Sequence, residues 1–180
     1  MDIATTQTIP DGYKLTEVGV IPIDWAVTLL PEVLYFISGK AHEKYIVDDG
    51  KFISVNSKFI SSDGTVAKYS DKNFCPARED DILMVMSDLP NGKALSKCFF
   101  VDLNNRYAVN QRVCILRAKA GYPKYFYYTL NRNRYFLQYD DGVQQTHLLV
   151  NVFKKCPVIV PSNQEEQKST VNIIPEIRKV

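Results

Sequence analysis

The apolar residues of this chain come in short runs, none longer than about six residues, with turn-forming residues between them. Runs of this length favour short strands and short helices over a long helical bundle or a coiled coil. They also fall far below the roughly 20 residues that a membrane-spanning helix requires, so we expect no membrane contact. Because 46% of the 180 residues are apolar, the chain can bury the core of one domain. The pattern predicts a single globular domain of the α/β (mixed α+β) class.

Five segments have the apolar, β-branched and aromatic composition of strands. They are Lys51–Val55, Ile82–Met86, Lys97–Asp102, Tyr107–Arg117 and Pro157–Val160. Turn signals lie between some of them, at Ser62-Asp63-Gly64 and at Asn91-Gly92.

Three further segments have helix signals. Pro31 and Glu32 suit the first turn of a helix, which we expect to run over Pro31–Ile37 and to stop at Gly39. Apolar residues at helical spacing predict the clearest helix over Lys124–Tyr139. A capping-box pattern at Ser162-Asn163-Gln164-Glu165 predicts a last helix, which we expect Pro175 to end or kink.

The charges are unevenly distributed although their formal sum is only +2. Residues 1–50 carry a net charge of −5, residues 51–139 carry +7 and residues 140–180 are neutral. A basic centre of this kind suits an anionic partner such as nucleic acid. The alternative, at this modest density of charge, is a mixed and solvated surface.

The four cysteines are too far apart in the sequence for a C-x-x-C zinc or redox pair. Several lie in apolar runs, where free cysteines act as small core residues. The N-terminus has neither the basic segment nor the apolar segment of a signal peptide. We therefore expect a reduced, cytoplasmic protein that binds no metal.

The sequence contains none of the common catalytic signatures for nucleotide binding, acyl transfer or zinc proteolysis. The cluster Glu79-Asp80-Asp81 could serve a metal-dependent nuclease, but its position directly before a strand is more typical of a turn. A Cys–His nucleophilic pair that uses His42 or His147 would need an activated thiol, and nothing in the sequence marks one. We therefore expect no catalytic residues and no cofactor.

Two polar stretches could contact an anionic partner. Ser87–Lys93 combines a hydroxyl, a carboxylate, an amide, a glycine and a lysine, a set suited to phosphates and base edges. Gln144–His147 begins with two glutamines, which can donate to and accept from base edges. The alternatives are a hairpin turn for the first stretch and a plain polar connection for the second.

The segment Lys124–Tyr139 carries Lys124, Arg132 and Arg134 but no acidic residue, and tyrosines lie among these cations. Aromatic rings among cations can contact nucleic acid. Tyrosines in a helix more often pack with their hydroxyl groups at the rim of the core, and that alternative stays open here.

Taken in order, several segments together resemble the target-recognition domain of the specificity subunits of type I restriction-modification enzymes, over about residues 14–170. The matching segments are Gly19–Trp25, Leu30–Val33 with Ile37–Gly39, Asp80–Ser87, Asn91–Lys93, Val109–Val113, Tyr125–Tyr128, Gly142–Leu148, Phe153–Pro161 and Gln164–Lys168. Each is weak alone, but their order and spacing are specific.

The resemblance implies a non-catalytic protein with a twisted, mainly antiparallel β-sheet flanked by short helices. Subunits of this family carry two such domains joined by two long spacer helices, and each domain reads one half of a bipartite target in double-stranded DNA. The subunit directs a methyltransferase (modification) subunit and a restriction (translocase-nuclease) subunit.

The polar N-terminus predicts a flexible tail over residues 1–13. The resemblance implies a DNA target-recognition domain over 14–161 and a stub of the spacer helix over 162–180. Here we find one domain and a truncated C-terminal helix, so a half-subunit that needs a second half, a truncated product or an isolated domain are all open. Two alternatives are a stand-alone metal-dependent nuclease and an interaction protein that binds restriction subunits without reading DNA.

With the resemblance, the two polar stretches become the first candidates for contact with DNA. Asn56 and Lys58, which follow a strand, are secondary candidates, and Asn110-Gln111-Arg112 could equally serve the scaffold. The full set of predicted DNA-binding residues is Ser87, Asn91, Lys93, Gln144, Gln145, Thr146, His147, Asn56, Lys58, Arg132 and Arg134.

Overall fold

A computed structural model describes residues 9–90 and 92–177, and of residues 174–177 only the backbone. Within these residues the strands are β1 (Tyr13–Thr16), β2 (Gly19–Pro22), β3 (Ala26–Leu29), β4 (Leu34–Ser38), β5 (Ile46–Val47), β6 (Phe52–Val55), β7 (Tyr69–Ser70), β8 (Ile82–Val85), β9 (Ser87–Asp88), β10 (Cys98–Phe100), β11 (Tyr107–Val109), β12 (Val113–Ala118), β13 (Thr146–His147) and β14 (Pro157–Val160). The helices are α1 (Leu30–Val33), α2 (Ser57–Ser61), α3 (Pro123–Leu130), α4 (Arg134–Leu137), α5 (Val150–Lys154) and α6 (Gln164–Ile177), with a 3₁₀ turn at Glu43–Tyr45.

The central sheet is antiparallel and has the strand order β10-β8-β12-β4. All four residues of β8 are buried, because both faces of this sheet are covered. Ile82 and Met84 face one apolar cluster, whereas Leu83 and Val85 face another. The alternation of side chains along a strand thus explains why the apolar run at residues 82–86 is unbroken.

A second sheet, with the order β11-β6-β7-β5, covers one face of the central sheet. Its β11–β6 pair is parallel, and its other pairs are antiparallel. The other face packs against aromatic side chains of the helices, which are fully buried. They are Tyr125, Phe126, Phe136 and Phe153. The result is the mixed, mainly antiparallel fold that the resemblance implies.

The C-terminal helix α6 is fastened to the domain by polar contacts. The indole Nε1 of Trp25 donates to Oε1 of Glu166 at 2.8 Å. The Tyr122 N–H donates at 2.7 Å to Oε1 of Gln167, a side chain that is buried. The start of the helix is capped by Asn163, whose Oδ1 accepts the Glu166 N–H at 2.9 Å, rather than by Ser162 as predicted.

The predicted helix over Pro31–Ile37 is wrong beyond its first turn. Helix α1 ends at Val33, and residues 34–38 form β4, which pairs with β12 from Leu34 opposite Ala118 to Ser38 opposite Cys114. Pro31 lies in the first turn of α1, directly after Leu30, as its ring predicts. The aromatic and branched residues after it form strand pairs that outweigh the local helix signals.

The predicted helix over Lys124–Tyr139 is divided in two. Helix α3 ends at Leu130 and α4 begins at Arg134, and Arg132 between them has a φ of 57°. The Asn131 side chain accepts the Cys98 N–H at 3.0 Å, and Asn133 caps α4 by accepting the Tyr135 N–H at 2.9 Å. These asparagine contacts stabilise a break that apolar spacing does not reveal.

The strands predicted at Lys51–Val55, Ile82–Met86 and Pro157–Val160 are confirmed with small changes of boundary. The predicted strand Lys97–Asp102 is shorter, at Cys98–Phe100. The predicted strand Tyr107–Arg117 is two strands, because the chain turns at residues 110–112 and passes from one sheet to the other.

Helix α6 continues two residues past Pro175, so the prediction that this proline ends it is wrong. A proline within a helix removes one backbone hydrogen bond, and the remaining bonds of the helix can bridge that loss. Residues 1–8 of the predicted tail lie outside the described residues. No helix in the described part of the chain combines the length and the apolar character that crossing a membrane demands.

Candidate nucleic-acid interface

One edge of the two sheets gathers the polar loops. The Gly39 and Lys40 N–H groups donate to the carbonyl oxygens of Val113 and Val109 at 3.0 Å each. The Asn110 N–H donates to the Val55 carbonyl, also at 3.0 Å. These bonds bring the ends of β4, β6 and β11 next to the start of β12. The loops that follow those ends therefore share one side of the molecule.

Gly39 makes this convergence possible. A Cβ at this position would lie 2.0 Å from the carbonyl oxygen of Asn110 and 2.6 Å from that of Val113. Both of these atoms belong to backbone, so neither could move aside cheaply. Only glycine lets the end of β4 approach the turn at residues 110–112 this closely.

The loop at residues 88–95 is organised from within by Asp88. Its Oδ2 accepts the N–H groups of Ala94 at 2.7 Å and Leu95 at 3.1 Å. Gly92 lies directly over this carboxylate, since a Cβ there would be 2.1 Å from the same oxygen. Lys93 is exposed on the loop, which suits contact with a phosphate. The predicted contact residue Asn91 lies outside the described residues.

The segment Gln144–His147 lies beside the loop that carries Lys93. Strand β13 pairs antiparallel with β9, so that Thr146 is opposite Asp88 and His147 is opposite Ser87. Ser87 and Thr146 are buried, whereas Gln144, Gln145 and His147 are exposed. The buried pair therefore positions this segment, and the exposed three can meet a ligand.

Gln145 is oriented by Ser87. Its Nε2 donates to Oγ of Ser87 at 2.9 Å. This contact fixes the direction of the amide and leaves its carbonyl oxygen without a partner among the described residues. The turn before it is fixed as well, since Oδ1 of Asp141 accepts the N–H groups of Val143 and Gln144 at 2.9 and 3.1 Å. These N–H groups lower the pKa of the Asp141 carboxyl.

The two secondary candidates lie in a neighbouring cleft. Asn56 caps α2, because its Oδ1 accepts the Phe59 N–H at 2.9 Å. Lys58 is exposed on the first turn of α2. Both line a cleft of about 470 Å³ together with Lys68 and Arg112. The Met86 N–H donates to the Arg112 carbonyl at 2.9 Å, which joins this cleft to the strand that leads into Ser87.

The two arginines predicted from the helix do not lie together. Arg132 is held against the loop at residues 88–95, since its Nη1 donates to the Leu95 carbonyl at 2.9 Å. Arg134 lines a different cavity, of about 500 Å³, beside Glu17 and Ile159. None of the other predicted contact residues lines that cavity, so the structure separates Arg134 from the set.

Sequence reasoning missed Glu43 and Lys68 in the cleft, since neither lies in a recognisable motif. It left Asn110-Gln111-Arg112 open between scaffold and contact. The structure divides this triplet: Asn110 is buried and donates to Oε1 of Glu43 at 3.1 Å, whereas Gln111 and Arg112 are exposed. A run of polar residues between two apolar strands was the available signal for a turn at this edge.

The acidic cluster is structural rather than catalytic. Asp81 is buried, and Arg117 binds both of its oxygens, with Nε at 2.7 Å from Oδ1 and Nη2 at 2.8 Å from Oδ2. Asp80 lies in a turn with a φ of 67°. The part of the chain that the structure describes contains no group of side chains suited to a metal ion. The nuclease alternative therefore has no support.

This fold, with polar loops along one edge, is consistent with the family that the sequence resembles. The profile of the type I restriction modification DNA specificity domain matches residues 22–179. The chain belongs to this family. It is a DNA sequence-specificity module, and its family is non-catalytic. Neither alternative, the nuclease or the interaction protein that does not read DNA, is supported.

Solved structures agree on the fold. The type I restriction-modification S subunit from M. genitalium is 16% identical with a TM-score of 0.66, and the match covers 86% of this chain and 39% of that one. The HsdS subunit from Thermoanaerobacter tengcongensis is 14% identical with a TM-score of 0.67, and the match covers 93% and 40%. A structure that describes complex assembly and conformational transition of the type I R-M system is 16% identical with a TM-score of 0.68, covering 88% and 39%.

The matched part of this chain thus spans about two fifths of the length of those proteins. At these identities the likeness shows the shared fold. No curated protein sequence matches the chain significantly.

Proposed function

We propose that this domain reads one half of a bipartite target in double-stranded DNA. The observation that carries the proposal is the convergence of the exposed side chains of Lys93, Gln144, Gln145 and His147 on paired strands β9 and β13 and the adjoining loop. Lys93 binds a phosphate, and the two glutamines reach base edges. Thr146 and Ser87 hold the reading segment in place, and Arg132 supports the loop.

The surrounding assembly follows from the family. We assign residues 14–161 to the target-recognition domain and the segment from residue 162 onward to the start of a spacer helix. The domain directs a methyltransferase subunit and a restriction subunit in the cytoplasm, and a second half-subunit supplies the other half of the target. The two α6 contacts from Trp25 and Tyr122 support this, because they fix the direction in which such a spacer leaves the domain.

Selection from a pool of random-sequence DNA duplexes tests the reading function. We expect one short motif to be enriched, and Gln145→Ala to relax the preference at one base pair by about 1–3 kcal/mol. Lys93→Ala weakens binding to all sequences alike, which provides the matched control for loss of a phosphate contact. If no motif is enriched, and no DNA is bound even at low salt, the proposal is wrong.

Co-purification with a methyltransferase subunit tests the assembly. The full chain should retain such a subunit at moderate salt. Removal of residues 172–180, which keeps Glu166 and the buried Gln167 in place, should release it while DNA binding persists. Retention of the partner after this truncation would show that the recruiting surface lies elsewhere in the domain.

A further inference from the structure

The cleft beside the reading segment contains a buried hydroxyl group to which none of the described residues forms a hydrogen bond. Ser54 lies in the middle of β6, and its neighbour Val55 faces the core. Because side chains alternate along a strand, Ser54 faces the opposite side, where it lines the cleft. It is fully buried, and its Oγ has no hydrogen-bond partner in the described part of the chain. A buried hydroxyl without a partner is unfavourable, and a ligand with an acceptor oxygen would satisfy it.

The walls of the cleft are basic. Lys58, Lys68 and Arg112 are exposed there, and none of them has an ion-pair partner among the described residues. Glu43 is the one acidic side chain among the described residues that line the cleft. Its carboxylate accepts from the amide groups of Asn110 at 3.1 Å and Gln111 at 3.4 Å. The three cations outnumber the one carboxylate, which is already hydrogen-bonded, so the cleft has a net positive charge.

The lining also argues against a base as the occupant. The described lining residues are polar or charged apart from Ile46, and they include no aromatic ring on which a base could stack. A compact anion with several acceptor oxygens suits the cations and the Ser54 hydroxyl better.

We propose that this cleft holds one phosphate group of the DNA backbone, next to the strand pair that reads the bases. The Ser54 Oγ–H donates to a phosphate oxygen, and Lys58, Lys68 and Arg112 neutralise its charge. The inference rests on the proposed DNA-reading function and adds a phosphate site to it. The Met86–Arg112 backbone bond, at 2.9 Å, fixes this site relative to Ser87 and thereby sets where the duplex lies.

The salt dependence of binding to a duplex of random sequence tests the proposal. A protein that neutralises one phosphate fewer has a shallower slope of log K against log salt, by about 0.9. We expect the double variant Lys68→Gln, Arg112→Gln to show a change of about this size. We expect Ser54→Ala to weaken binding about tenfold with little change of slope, since it removes a hydrogen bond but no charge. Circular dichroism checks that each variant is folded.

Two variants act as controls. Lys51→Gln removes one positive charge directly before β6, outside the cleft, and should leave the slope unchanged. Glu43→Gln removes the one carboxylate and should tighten binding to all sequences alike, because it relieves repulsion. A change in sequence preference in Glu43→Gln would instead assign the cleft to base reading and overturn the phosphate site.

The outcomes separate the two proposals. If the wild-type chain binds no DNA at low salt, the reading function fails and the phosphate site fails with it. If it binds DNA and the double variant keeps the wild-type slope, only the phosphate site is overturned. Titration with inorganic phosphate, followed by the amide NMR signals of Ser54 and Lys68, tests whether the cleft binds a free anion instead. Saturable shifts together with an unchanged DNA slope would also overturn the proposed site for a DNA phosphate.

Discussion

At the scale of single residues, His42 illustrates how a polar ring becomes part of the core. It is fully buried, with Nδ1 at 2.6 Å from the Lys40 carbonyl oxygen, and its Nε2 accepts the Phe74 N–H at 3.0 Å. These partners require the neutral ring, protonated at Nδ1. The ring thereby fixes the loop that places Glu43 in the cleft.

Stability should fall when His42 is forced to protonate. Burial lowers the pKa of His42 below its usual value, although the Lys40 carbonyl and Glu43 oppose the shift. The neutral ring therefore contributes its full stabilisation above about pH 6.5, the unfolded value, and loses it as the pH falls through the folded pKa. Urea unfolding between pH 7.5 and 5 measures this loss. His42→Gln should flatten this part of the pH profile, whereas His147→Gln, at an exposed site, should preserve it.

The Asp81–Arg117 pair is a second case in which a polar residue is structural. Arg117→Ala leaves a buried carboxylate without its cation, so we expect it to lower the free energy of unfolding by about 3–5 kcal/mol. Chemical denaturation provides the measurement. Lys168→Ala breaks the exposed Lys168–Glu165 pair and should cost under about 1 kcal/mol. Equal effects of the two variants would contradict the structural role of Asp81.

At the scale of elements, the loop at residues 88–95 depends on one carboxylate in addition to a turn in which the Gly92 N–H donates to the Leu89 carbonyl at 2.9 Å. Among the described residues, Asp88 accepts the backbone N–H groups of Leu89, Ala94 and Leu95. Gly92 is the residue that leaves room for it. From sequence, the Ser87–Lys93 stretch was interpretable as a hairpin turn or a binding loop. It lies between the antiparallel strands β8 and β10, and its binding role stays a prediction.

Gly92→Ala should displace the Asp88 carboxylate and loosen this loop. We expect DNA affinity to fall about five- to tenfold, because the loop must then be ordered on binding. Asp88→Ala should have a similar effect, and the double variant should be no worse than either single one, since both act on the same contacts. Fluorescence anisotropy with a labelled duplex measures all three affinities. Additive losses would show that the two residues act independently.

At the scale of the whole molecule, the central sheet separates two apolar clusters and buries all four cysteines between its layers. Burial is the largest cause that raises the pKa of each thiol, to about 12 for Cys156. The sequence prediction of free core cysteines is confirmed for those in apolar runs, and the structure shows that all four are free and buried. A thiol of this kind is neither accessible nor ionised at neutral pH.

The thiols should therefore report on global unfolding. A thiol reagent at pH 8 should modify the native chain slowly, and all four cysteines should react together once urea passes the unfolding midpoint. The absorbance of the released chromophore counts the modified thiols. Rapid modification of one cysteine in the native protein would reveal local opening of the layer that covers it.

Many residues of the candidate site were predictable from the sequence, but which of them lie together in space was not. Lys93 and the glutamines lie in polar stretches that follow or join recognisable elements, and the resemblance marked them. The cleft that contains Lys58 and Lys68 forms because β6 and β11 pair in parallel over a long sequence separation. Nothing in the sequence next to either lysine indicates that pairing. Likewise, nothing in the sequence next to Arg134 indicates that it lines a different cavity.

The sequence by itself determined the features that depend on neighbouring residues. The unbroken apolar run of β8, the strand Pro157–Val160 and the ordered motifs of the specificity domain are all readable locally. Tertiary structure decided the features that depend on distant partners. Residues 34–38 form a strand because β12 pairs with them. The chain passes from one sheet to the other at residues 110–112, because β11 pairs with β6 whereas β12 pairs with β8 and β4. Local propensity is weak compared with the burial and backbone pairing that such partners supply.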